Sequence, residues 1–83
     1  MKTRSEIERK VKHIFFDIVG YYSLNNQDQL NIEDNLVDAY GTDSLDYVEI
    51  AIALEEEFRM DISDEQLEKF KTLKDIIDYV EAH

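Results

Sequence analysis

Three runs of apolar residues spaced three and four apart constrain what this chain can become. Ile7, Val11, Ile14, Phe15, Ile18 and Tyr22 form the first run. Tyr47, Ile50, Ala51, Leu54 and Phe58 form the second, and Leu73, Ile76, Ile77 and Val80 the third. That spacing places each set on one face of an α-helix. Proline is absent and glycine occurs only twice, whereas an all-β chain of this size needs more turn residues. A length of 83 residues makes one domain, residues 1–83, with a compact core and modest stability.

Start and stop signals divide the chain further. Thr3-Arg4-Ser5-Glu6 and Ser5-Glu6-Ile7-Glu8 both have capping-box spacing before the first helix. That helix is expected to fray at Gly20 or at Asn25-Asn26. A long connector follows from about Ser23 to Thr42, anchored by Leu30, Ile32, Leu36 and Val37, with one short helical turn around Ile32 to Val37. Connectors of this length inside a compact domain are often functional. This one must cross along the bundle to reach the next helix. Gly41 makes a turn into Asp43, whose carboxylate can cap the free N–H groups of a helix running to about Phe58. Asp43 and Asp46 also suit the positive end of the helix dipole. Ser63-Asp64-Glu65-Gln66 opens a short helix with Leu67 and Phe70 inward, and Thr72, with Asp75 three residues on, opens the last.

Charge narrows the partners. The net charge is −11, and the stretch from His13 to Phe58 carries eleven acids and no lysine or arginine. Nucleic acid demands a cationic footprint and is excluded as a partner. A continuous negative field points instead to basic protein surfaces. The helical periodicity argues against the disorder that such acidity invites. No apolar run approaches a membrane span. Glu6 and Glu8 spoil a signal or transit peptide, so a chain not processed from a longer precursor is expected to be cytoplasmic.

The helix after Asp43 has a second apolar stripe, Leu45, Val48 and Ile52, well over ~100° around from the first. Glu49, Glu55 and Glu56 surround it. Two readings stand side by side. A small bundle can wrap more of this helix, or the stripe is an exposed docking strip with an acidic rim, apolar contact giving affinity and charge giving steering. Ser44 also has two readings. Serine is common at helix starts for capping reasons alone. A phosphate ester on its hydroxyl, however, would lie where backbone N–H groups and dipole favour an anion.

Other chemistry finds little support. His13 and His83 are the only histidines, neither is near Ser44 in sequence, and no G-x-S-x-G elbow exists. With no cysteine there is neither a disulfide framework nor a thiol nucleophile. Read as a calcium loop from Asp38, the chain has Tyr40 at the third position and Asp43 where the central glycine belongs, so the pattern fails. No ligand-spaced group points to a transition metal. The Glu55-Glu56-Glu57 run reads as a solvated face, and the five tyrosines as core-edge residues.

Gly41-Thr42-Asp43-Ser44-Leu45, then Val48-Glu49, then Ala53-Leu54-Glu55-Glu56-Glu57-Phe58, together resemble the acyl carrier protein family. The likeness runs on through Ile62-Ser63-Asp64-Glu65 to Ile76-Ile77-Asp78-Tyr79-Val80, while the segment before about Leu36 is only generically similar. The resemblance implies an all-α, four-helix bundle with a short third helix and a long first loop. It implies that Ser44 receives 4′-phosphopantetheine from coenzyme A through a phosphodiester bond, so that the chain carries acyl groups as thioesters and is not itself an enzyme. The reactive sulfur is then imported with the prosthetic group, which fits a chain without cysteine. Fatty-acid or related synthesis is the implied setting. A carrier for a specialised polyketide or aminoacyl pathway, and an unmodified acidic helical interaction module, are the alternatives.

The implied partners are a phosphopantetheinyl transferase and the basic surfaces of acyl-processing enzymes, met by a monomer. By position the contacts are Asp43, Leu45, Asp46, Val48, Glu49, Ile52, Glu55 and Glu56. The implied acyl cavity is lined by Tyr47, Ile50, Leu54, Ile62, Leu67, Phe70 and Ile76. The chain departs from the family pattern with Tyr40 where leucine is usual and Ser63 where proline is usual. Leu67 and Phe70 are bulkier than the residues common at their positions, which bears on the size of that cavity.

Overall fold

The computed structural model describes residues 3–19 and 29–83. The described residues form five helices: α1 (Arg4–Ile18), α2 (Leu36–Tyr40), α3 (Ser44–Phe58), α4 (Asp64–Glu68) and α5 (Leu73–Ala82). The architecture is all-helical, as the apolar periodicity predicts. The expected short third helix is α4, and α2 is an additional turn of helix within the long connector. Gly20 and the Asn25-Asn26 pair, the expected ends of the first helix, lie outside the described residues, as does Tyr22.

Each helix begins at a side chain that accepts from free N–H groups, which is the local reason it begins there. The Thr3 hydroxyl accepts from the Glu6 N–H at 3.2 Å, and the Ser63 hydroxyl from that of Gln66 at 3.1 Å. Thr72 and Asp75 close a full capping box at the start of α5. Ser63 thus supplies the cap of α4.

The helical turn expected around Ile32 to Val37 is displaced to Leu36–Tyr40. Asn35 is the cause. Its side-chain oxygen accepts from the N–H groups of both Val37 and Asp38 at 3.0 Å, so the helix cannot start earlier without giving up that cap. Gly41 ends it in the left-handed conformation, φ 68°, where glycine carries no Cβ penalty.

α1 packs on both α3 and α5, and the three apolar runs meet between them. Ile7, Val11 and Phe15 from α1, Ile50 and Leu54 from α3, and Leu73, Ile76, Ile77 and Val80 from α5 are buried in one cluster. Leu30, Leu36 and Phe70 complete it. Phe15 meets Tyr40 edge-on at 5.5 Å. The Tyr40 hydroxyl donates to Asp34 and accepts from the Asn31 N–H, each at 3.1 Å. The tyrosine that departs from the family pattern therefore packs α2 on α1 with its ring and holds the connector with its hydroxyl.

Ion pairs join the helices outside the core. Arg4 reaches Asp78 at 2.8 Å and Glu81 at 2.9 Å, tying α1 to α5. The hydrogen bonds from Arg4 and then Lys74 hold the Asp78 carboxyl below its ordinary range. Lys10 pairs with Glu57 at 2.9 Å, tying α1 to α3. Glu57 is exposed, as its place in the acidic run predicts, but it is paired rather than simply solvated.

Candidate functional site at the start of α3

Ser44 owes its position to the turn before it. The Thr42 side chain is buried, 3% exposed, and its hydroxyl donates to the Leu36 carbonyl at 2.8 Å. This ties the end of α2 to its own beginning and fixes the direction in which the chain leaves. Asp43 then caps α3, accepting from the Asp46 N–H at 2.9 Å, while the Asp46 carboxylate accepts from the Asp43 N–H at 3.1 Å. The two acids satisfy each other's backbone donors. Ser44 follows as the first residue of α3, with its side chain exposed. Asp46 thus has a structural task beside the recognition role expected of it.

Beside Ser44 lies an open groove of about 470 Å³ lined by Val37, Ser44, Tyr47, Leu67, Glu68 and Lys71. Ligand clefts commonly run to about 300–1,000 Å³. Of the seven residues expected to line a cavity, Tyr47 and Leu67 reach this groove. Ile50, Leu54, Phe70 and Ile76 are sealed in the core, and Ile62 is partly buried against it. Val37 reads in the sequence as a connector anchor, yet it is 51% exposed and forms a wall of the groove. Val37 and Lys71 have no sequence signal for this role, because α2 and the α4–α5 connection meet only through the fold. The Leu36 N–H donates to the Lys71 carbonyl at 2.9 Å and brings them together.

The two readings of the second stripe are now separable. Leu45 is 72% exposed, and Val48 and Ile52 are 51% exposed. Among the described residues no helix covers this face. Around it Asp43, Glu49 and Glu56 are exposed, and among the described residues neither Glu49 nor Glu56 has an ion-pair partner. Apolar side chains within a negative rim make a surface suited to a basic partner. Glu55 differs from its neighbours. Its carboxylate accepts from the Ile62 N–H at 2.9 Å and so holds the loop between α3 and α4.

An exposed serine hydroxyl at a helix start, an open groove beside it and an exposed apolar strip thus lie on one helix, α3. No helix among the described residues is long and apolar enough to cross a membrane. Over residues 9–80 the chain matches the family described as the phosphopantetheine attachment site. It is also similar to proteins named acyl carrier protein from two strains of Clostridium perfringens, SM101 and ATCC 13124. Each is 42% identical over 74 residues, covering 89% of this chain and 92% of the relative. The chain belongs to the phosphopantetheine-bearing carrier proteins, and within them to the acyl carrier protein family. Its cofactor is 4′-phosphopantetheine, and its function is that of an acyl carrier.

Proposed function

We propose that Ser44 is the residue that takes the 4′-phosphopantetheine arm, in a single domain spanning residues 1–83 that carries acyl groups for fatty-acid or related synthesis and catalyses nothing itself. One observation carries this reading: the exposed Ser44 hydroxyl stands at the first turn of α3 and lines an open groove. Free backbone N–H groups and the dipole of a 15-residue helix favour a phosphate diester there. The groove leaves room for an arm to fold back along Val37 and Leu67. When attached, the arm supplies the thiol on which acyl groups are held.

The chain's own residues then present that thiol to others. Leu45, Val48 and Ile52 give the apolar contact, and Asp43, Asp46, Glu49 and Glu56 steer basic surfaces of a phosphopantetheinyl transferase and of acyl-processing enzymes. Glu55 lies on the same rim, already engaged by the Ile62 N–H. Tethering raises the effective concentration of cargo at a docked enzyme. The chain is read as a monomer and as cytoplasmic. Incubation with coenzyme A and a phosphopantetheinyl transferase tests the attachment. Intact mass should rise by one arm, and an unchanged mass would contradict the reading.

The rim makes a separate prediction. Glu49→Lys should slow association with the transferase roughly tenfold at low salt, within the 10–10³ span of electrostatic steering. Added salt should shrink the difference, because exposed charges are screened. Stability should change by no more than about 0.5 kcal/mol, as for other exposed surface substitutions. Stopped-flow association at two ionic strengths measures this, and equal rates for the two chains would remove steering from the account. Glu55→Lys is a poorer probe, since it also breaks the bond to Ile62.

A further inference from the structure

Tyr47 lines the groove beside Ser44 and also packs against the core. The Tyr47 ring is half-buried, and its hydroxyl donates to the Phe70 carbonyl at 2.8 Å. Burial, with a contribution from the Asp75 charge, pushes this phenol above its ordinary range, so at neutral pH it stays a donor. Behind it Ile50, Leu54, Phe70 and Ile76 are packed with at most 1% of their surface exposed.

The segment that carries the acceptor is itself held from several sides. The Lys71 carbonyl accepts from the Leu36 N–H at 2.9 Å, and the Lys74 N–H donates to the Ile32 carbonyl at 2.9 Å. The N–H groups of Lys71 and Thr72 both donate to the Asp75 carboxylate, at 2.9 and 3.1 Å. Residues 70–74 are thereby fixed to the connector and to α5. The Tyr47 hydroxyl fixes them to α3, from a residue that also lines the groove.

We propose that the hydrogen bond from Tyr47 to the Phe70 carbonyl is a latch on the core, and that Tyr47 sets the acyl-chain length at which cargo passes from the groove into it. The proposal rests on Ser44 as the attachment residue. A short chain lies in the groove against Val37, Tyr47 and Leu67. A longer chain leaves methylenes in water, and each forgoes its burial free energy. The chain enters only when that sum outweighs the latch and the strain of inserting atoms into a packed core. One net hydrogen bond is equivalent to the burial of about one or two methylenes. Removing the hydroxyl therefore shifts the threshold to shorter chains by about that many.

The test is a series of carriers loaded at Ser44 with arms bearing straight acyl chains from butanoyl to dodecanoyl, in steps of one carbon. The readout is the methyl resonances of Ile50 and Ile76. In the wild-type chain butanoyl should leave them in place, and a longer chain should begin to move them. In Tyr47→Phe the movement should begin about one or two methylenes earlier. In Tyr47→Ala, which removes the ring as well, it should begin earlier still. The helical circular dichroism of each variant reports its fold, and the Phe variant keeps the ring. An identical threshold in wild type and Tyr47→Phe, or movement already with butanoyl in wild type, overturns the latch alone. A wild-type chain that takes no arm at Ser44 overturns the attachment, and the control of cargo with it.

Discussion

Replacing Phe15 with alanine is expected to remove about half of the stability of this protein. The side chain is wholly buried in α1, facing α3 and α5 across the core, and it meets Tyr40 edge-on at 5.5 Å. Truncating a buried phenylalanine costs about 3–5 kcal/mol, in lost transfer free energy and in the cavity left behind. The aromatic pair adds about 0.5–1.5 kcal/mol beyond its buried area. At roughly 0.05–0.15 kcal/mol per residue, a chain this short has a total of only about 4–12 kcal/mol. The substitution should therefore remove about half of that total and lower the urea midpoint in proportion. Urea titration followed by helical circular dichroism measures it, and a loss below about 1 kcal/mol would show that the core does not centre on Phe15. Loading at Ser44 should fall with the folded fraction, because α2 and the turn at Gly41 hold the start of α3 in place.

The second large effect runs the other way, with function lost and fold kept. Ser44→Ala should abolish loading by a phosphopantetheinyl transferase while leaving the unfolding midpoint close to wild type. The Ser44 side chain is exposed, and the capping of α3 is done by Asp43 and Asp46. Alanine is also the best helix former at an exposed helical position. Equal loading of wild type and Ser44→Ala would place the attachment on another hydroxyl, such as Ser63 at the start of α4. A variant that failed to load because it had unfolded would contradict the division of labour between Ser44 and Asp43.

Much of this is legible in the sequence. The three apolar runs needed only helical spacing, and they became the faces of α1, α3 and α5. Asp43, Ser63 and Thr72 announced helix starts because a cap acts over three residues. What the chain conceals is what depends on the neighbours of a helix. Leu45, Val48 and Ile52 have a periodicity that a covered and an uncovered face share; among the described residues the arrangement of the other helices leaves them bare. Asn35 lies within a connector rich in polar residues, where nothing local marks it as a cap, and the turn of helix it starts lies later than the sequence predicts. Val37 reads as an anchor because it is apolar, though α2 turns it outward beside Ser44. The bonds from Ile62 to Glu55 and from Tyr47 to Phe70 join residues seven and twenty-three positions apart, a separation that no local pattern encodes. The first holds a rim acid to the backbone, and the second ties α3 to the α4–α5 connection.

The placement of the arm is the centre of this account, and peptide fragmentation of the loaded wild-type chain tests it most directly. The protein is incubated with coenzyme A and a phosphopantetheinyl transferase, digested, and fragmented to locate the added group. The account predicts one arm per chain, on the hydroxyl of Ser44. An arm found on any other residue, or a chain that stays unmodified while a known carrier is loaded in parallel, would contradict it.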